Sequence, residues 1–158
     1  MNARVLFLCT GNVCRSPMAE GMFRDLVARS GKEGIEVASA GLSAMEGLDP
    51  SENSIKAMGE ETVDISHQRS QQLTPEMVEG ATHIFGMGIG HVEAIRSYFP
   101  EASEKTFVLR ELIVDEGLDL EVPDPIGGDL DEYRITRNLI KEAMPSILSL
   151  VTAEDPTL

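Results

Sequence analysis

Tryptophan is absent from the 158 residues, and aromatic side chains make up only 4% of them. A flavin-binding electron carrier, which leans on stacked rings, is a poor fit to such a chain. Cysteine is nearly as scarce. Cys9 and Cys14, five positions apart, cannot staple distant segments, so disulfides are excluded as the source of stability. Long apolar runs are missing too: Val5 to Cys9, the longest near the N-terminus, is too short for a signal-peptide core or a membrane span. The expected location is the reducing cytoplasm, with no membrane partner. Positive charge is sparse, with 13 Lys and Arg against 27 Asp and Glu and a net charge of −14. Nucleic acid is therefore excluded as a general partner, because backbone phosphates must be met by clustered Lys and Arg. Any anionic ligand has to be captured locally.

What is present suits one globular domain over residues 1–152 with a frayed tail over 153–158: 42% of residues are hydrophobic and 25% charged. Arg4 to Cys9 is a continuous apolar run and predicts a strand buried on both faces. Ser16-Pro17 predicts a helix start, with Ser16 as N-cap and Met18, Met22 and Leu26 at helical spacing, closed by Gly31 and Gly34. Ile35 to Ala38 is a second strand, followed by a helix from about Pro50 to Glu60. Thr74-Pro75 starts a short helix, and Thr82 to Met87 is a third strand. His91 to Tyr98 reads as a helix and Phe107 to Leu109 as a fourth strand. Leu130, Tyr133, Arg137, Ile140 and Met144 mark a last amphipathic helix that Pro145 should kink or end. The alternation predicts an α/β fold with a parallel sheet and helices on both faces, where ligands sit at the carboxyl ends of strands.

Cys9-Thr10-Gly11-Asn12-Val13-Cys14-Arg15-Ser16 falls at such an end, between the first strand and the first helix. Backbone N–H groups of a loop in this position converge on one point and the helix start adds partial positive charge, which together cradle an anion. Gly11 is expected to permit the turn. Arg15 offers a planar fork matched to two oxygens of a tetrahedral dianion. The same positive field favours a Cys9 thiolate, a nucleophile aimed at phosphorus. The Ser16 hydroxyl can reach the Cys9 sulfur as well as cap the helix. A Cys ending a buried strand and an Arg on the surface would be the plainer reading. The strand before, the glycine inside and Ser-Pro after are what make the pattern specific.

The Cys9 to Pro17 stretch resembles the signature of the low-molecular-weight protein phosphatases, the tyrosine- and arginine-directed group. Ser39-Ala40-Gly41, Asp64-Ile65-Ser66, Leu73-Thr74, Met87 and Asp124-Pro125 fall in that family's order and approximate spacing, so the resemblance covers nearly the whole chain. It implies a four-stranded parallel sheet of the flavodoxin-like, phosphotyrosine protein phosphatase I type. It also implies hydrolysis of a phosphorylated protein or peptide through a phosphocysteine, with no metal and no cofactor, by a monomer or weak dimer. Thr10 to Ser16 would hold phosphate or another oxyanion. Asp124 matches the family's general acid, stiffened between Pro123 and Pro125 and followed by Gly127-Gly128. Taken locally, the same residues read as an ordinary Asp-Pro turn.

Some positions depart from the family. Tyrosine-directed members usually place an aromatic after Asp-Pro, but Ile126 and two glycines stand here, as in the arginine-directed branch. That branch carries threonine in the middle of the anion loop, where this chain has Val13. Since Val13 neither donates nor accepts a hydrogen bond, phosphotyrosine is the expected substrate and phosphoarginine the alternative. Ile126 and Met45, with Leu42 and Leu48, are the expected pocket walls. The family histidine that steadies the loop aligns on Gln68, expected to bond Asn12 or Ser39, while His67 is expected to be exposed. Ser16 and Ser39 complete the loop support. His83 and His91 show no metal spacing and read as structural or solvated, and Tyr98 and Tyr133 as packing residues. Cys14 is either a buried packing residue or a partner that resolves oxidised Cys9 as a disulfide, and the resemblance favours the second. A similar loop opens thiol-dependent arsenate reductases, which need further cysteines after the third strand. Gly86 to Tyr98 holds none.

Overall fold

In the computed structural model, which describes residues 2–113, 115 and 117–153, the first apolar run forms β1 (Ala3–Cys9). Its side chains alternate between two hydrophobic clusters. Val5, Phe7 and Cys9 point into one, and Leu6 and Leu8 into the other. A strand buried on both faces needs neighbours at both edges and cover above and below. β2 (Ile35–Gly41) pairs on one side of it and β3 (His83–Gly86) on the other, with β4 (Thr106–Val108) outermost. All pairings are parallel and the order is β2-β1-β3-β4.

Parallel neighbours require crossover connections, and helices supply them. α1 (Arg15–Ser30), α2 (Glu52–Gly59) and α5 (Leu130–Thr152) contribute to the first cluster, where Phe23, Met58 and Ile140 are fully buried. α3 (Pro75–Gly80) and α4 (Ile89–Tyr98) contribute Val78 and Ile95 to the second, on the opposite face. The expected doubly wound arrangement is therefore present. The chain leaves β1 in one direction for β2 and returns beyond β1 for β3, which puts the switch point, where ligands of such sheets sit, at the carboxyl ends of these strands.

Three local expectations change. β2 runs on to Gly41 because Ser39, Ala40 and Gly41 stay in register with Phe7, Leu8 and Cys9. α5 continues through Pro145 to Thr152. Pro145 lies on the exposed side, while Met144, Ile147 and Val151 are buried and keep the helix docked. Tyr98 does not pack: it is 81% exposed at the end of α4. The expected frayed tail lies, apart from Ala153, outside the described residues.

Candidate active site

β1 ends at Cys9, and the chain turns directly into α1 at Arg15. The turn is carried by Asn12, whose φ of 56° is left-handed, rather than by Gly11, where an added Cβ would make only an ordinary 3.7 Å contact with Val13. Asparagine tolerates this region and uses it to aim its amide inward. The Asn12 backbone N–H points at Cys9 Sγ over 3.3 Å. Its side-chain amide donates to Ser16 Oγ at 2.8 Å and to Ser39 Oγ at 2.9 Å, while Oδ1 accepts the Gln71 N–H at 2.9 Å. Ser16 Oγ in turn lies 2.9 Å from Cys9 Sγ.

Ser16 is thus not the N-cap. Cys14 occupies that position without a side-chain cap, and Ser16 sits inside the first turn of α1 with its hydroxyl committed to the sulfur. Ser39 Oγ, which accepts the Asn12 amide, donates its own hydrogen bond to Glu20 Oε1 at 2.6 Å. Glu20 was not foreseen, although it stands four residues after Ser16 on the same helical face.

Gln68 does not support the loop. It is buried, and neither amide atom has a hydrogen-bond partner among the described residues. The segment around it runs beside the end of β2, where Gly41 bridges to Gln72 and its N–H bonds the Gln71 carbonyl. That register brings Gln71 to the loop, with its backbone on Asn12 and its Nε2 on the Ser39 carbonyl at 2.9 Å. Gln68 is turned beside Gly21 of α1. His67 is exposed, as expected.

Arg15 is buried at the start of α1. Nη1 donates to the Val122 carbonyl at 3.1 Å and Nη2 lies 3.6 Å from Asp124 Oδ2. Its Nε is buried with no partner among the described residues, an orphaned donor on a fork suited to an oxyanion. The carboxylate it faces is open, with the Asp124 side chain 44% exposed against 8% for Arg15. Asp124 Oδ1 accepts the Ile126 N–H at 3.1 Å, an Asx turn that fixes the carboxylate between the two prolines. Gly127 follows in the left-handed region at φ 79°.

Three of the expected walls, Ile126, Met45 and Leu48, are exposed apolar side chains, Leu48 the least so at 42%. Ile126 is 65% exposed and Met45 70%. The segment carrying Met45 is docked on the anion loop, since the Leu42 and Ser43 N–H groups bond the Cys9 and Thr10 carbonyls. Gly41 makes that approach possible: a Cβ there would fall 2.6 Å from the Thr10 carbonyl oxygen. Leu42 itself is half-buried and packs against the second cluster. Val13 packs against the first cluster.

His91 reaches the anion loop. Its Nδ1 accepts the Gly88 N–H at 3.2 Å, which leaves the proton on Nε2, 3.2 Å from Thr10 Oγ1. Burial, and then the Arg15 charge, push its pKa down. The signal for it was positional, because α4 begins at the carboxyl end of β3, where the loops of a parallel sheet gather. Cys14 and Tyr133 touch beneath the loop, Sγ to Oη 3.3 Å, and burial pushes the Cys14 thiol up and the Tyr133 phenol to about 12. Both cysteines are free.

The sequence matches the protein-family model for low molecular weight phosphotyrosine protein phosphatase over residues 4–156. It is 37% identical to a protein-arginine-phosphatase of Geobacillus stearothermophilus, covering 98% of this chain and 99% of that one. A low molecular weight protein tyrosine phosphatase from T. tengcongensis superposes with a TM-score of 0.86 at 35% identity, over 94% of this chain and 99% of its own. The YwlE arginine phosphatase, solved as a mutant with a phosphorylated active-site serine, superposes at 0.87 with 32% identity, over 96% and 97% of the two chains. A β2-β1-β3-β4 sheet ending in this cysteine loop, matched from residue 4 to residue 156, makes the chain a member of the low molecular weight phosphotyrosine protein phosphatase family.

Proposed function

We propose that the chain hydrolyses phosphorylated protein side chains through a phosphocysteine on Cys9. The observation that carries this reading is the seat of Cys9 Sγ, held by the Asn12 N–H and the Ser16 hydroxyl, with Arg15 and Asp124 facing each other. The Cys9 thiolate attacks phosphorus, forming the S–P bond as the bond to the leaving oxygen or nitrogen breaks. Asp124, protonated, hands its proton to that leaving atom. Water then attacks the phosphocysteine and gives a proton back to Asp124, the S–P bond breaks, and inorganic phosphate leaves with the thiolate restored. Arg15 and the loop N–H groups carry the charge of the equatorial oxygens throughout. The phosphorylated active-site serine of the YwlE mutant supports a covalent route.

For the substrate residue we choose phosphotyrosine, because Val13 turns against the core and offers nothing to a guanidinium. Phosphoarginine is the second reading. Asp124-Pro125-Ile126-Gly127-Gly128 and the similarity to the Geobacillus arginine phosphatase favour it. Two free thiols, one of them the nucleophile, fit the reducing cytoplasm.

The test is a comparison of kcat/KM on matched phosphotyrosyl and phosphoarginyl peptides with chelator present, joined to acid-quench trapping of the phosphoenzyme. Cys9→Ser is expected to abolish turnover, and Asp124→Asn to slow poor leaving groups by about 10²–10⁴-fold. Normal turnover by Cys9→Ser would sink the covalent reading, and preference for the arginyl peptide would overturn the reading of Val13.

A further inference from the structure

The segment that carries Asp124 must hold its place when Arg15 turns to a bound phosphate. At rest, Arg15 supplies two of the contacts on that segment, to the Val122 carbonyl and to Asp124 itself. Nη2 lies 3.6 Å from the Asp124 carboxylate, too far for a hydrogen bond, and Pro123 and Pro125 have no N–H with which to anchor the loop. Among the described residues the segment is also held by the Val122 N–H on the Met87 carbonyl at 3.0 Å, a long 3.3 Å bond from Thr136 Oγ1 to the Pro123 carbonyl, the buried Val122 side chain, Arg110 Nε on the Asp119 carbonyl at 3.0 Å further back, and the side chain of Glu121. Glu121 Oε1 accepts the Ile89 N–H at 2.8 Å at the start of α4. This is a charge-assisted bond to an orphan helix donor, favoured also by the helix dipole. Gly88 leaves room for it: a Cβ there would lie 2.1 Å from Glu121 Oε2. The same helix start holds His91, whose Nε2 meets Thr10 of the anion loop.

Resting on the phosphatase reading above, we propose that Glu121 is a positioning residue that fixes Asp124 relative to Cys9 by seating the acid segment on the start of α4. Glu121 touches neither phosphate nor leaving group. It acts through the backbone three residues before Asp124, and α4 transmits the position to the anion loop through His91 and Thr10. Removing it leaves the phosphate cradle intact and lets the carboxyl drift from the leaving atom, so the loss falls on proton transfer.

The experiment measures phosphoenzyme formation by rapid quench with aryl phosphates of graded leaving-group pKa, and inhibition by inorganic phosphate. Glu121→Ala is expected to slow phenyl phosphate about tenfold and p-nitrophenyl phosphate less than about twofold, part of the contribution general acids make. Gly88→Ala, which ejects the carboxylate from the other side, is expected to give the same steepened dependence. Glu121→Gln, which keeps an acceptor oxygen, should recover most of it. The double variant Glu121→Ala with Gly88→Ala should be no worse than either alone. Inhibition by phosphate should be unchanged. Equal slowing of all leaving groups, an unchanged slope in both single variants, or weakened phosphate inhibition overturns the proposal. If the wild-type protein forms no phosphoenzyme with any aryl phosphate, it is the phosphatase reading that fails.

Discussion

The Asn12 amide donates to Ser16 Oγ over 2.8 Å, and Ser16 Oγ lies 2.9 Å from Cys9 Sγ. Toward a thiolate the hydroxyl is the donor, since the sulfur then has no proton to give. Ser39 and then Glu20 hold the other end of the same chain, so the Asn12 amide is fixed by groups that do not touch the sulfur.

Ser16→Ala should therefore weaken the thiolate both at rest and as the group that departs from phosphorus in the second step. A hydrogen bond to a charged group contributes about 1.5–3 kcal/mol, so breakdown of the phosphoenzyme should slow roughly tenfold to a hundredfold. Single-turnover decay of the trapped intermediate measures it. The same decay rate in wild type and Ser16→Ala would mean that the hydroxyl serves only the fold.

Gln68 offers a stability test that leaves the site alone. Its amide is buried without a partner among the described residues, and such a group costs about 1–3 kcal/mol. Gln68→Met keeps the length and removes the polar atoms, so the melting temperature should rise by about 2–4 °C for each kcal/mol regained. kcat/KM should stay as it was, because Gln71, not Gln68, touches Asn12 and Ser39. A fall in melting temperature would show that the amide is satisfied.

His83 and His91 are both held below the ordinary 6.5 by burial. The unfolded chain then binds more protons than the folded one, so their contribution is complete above about pH 6.5 and is lost as pH falls through the window beneath it. His91 faces Arg15, Glu121 and Asp124, and the Arg15 charge opposes its protonation further. Glu60, pulled down to about 2 by Arg134 and Arg137, stays ionised at pH 5.5 and adds nothing to that slope. Urea midpoints should fall between pH 7.5 and 5.5, and His83→Gln should flatten the fall. Midpoints that rise on acidification would refute this sign.

The order of strands and helices was legible in the sequence because each signal is local. A continuous apolar run such as Val5 to Cys9 admits little but a doubly buried strand, and Thr74-Pro75 does start a helix, with Thr74 Oγ1 capping the Met77 N–H. The same signal misled at Ser16-Pro17, since a serine hydroxyl can cap a helix or bind a sulfur and only the position of Cys9 decides between them. Gln68 against Gln71 failed for a related reason: the choice hangs on how a loop registers beside β2, and that register belongs to Gly41 and Gln72.

By itself the sequence determined that a thiol, a guanidinium and a carboxyl are present on segments that α/β alternation gathers at one edge of a sheet. Period and composition carry that information, and they survive without knowledge of any long-range contact. The tertiary structure alone decided which atoms face the sulfur, that Asn12 rather than Gly11 makes the turn, and that Glu20, His91 and Glu121 belong to the assembly. Those partners lie up to 81 residues away from the groups they touch. Hydrogen bonds of a few ångströms between such distant positions are fixed by packing of the whole fold, which no local pattern encodes.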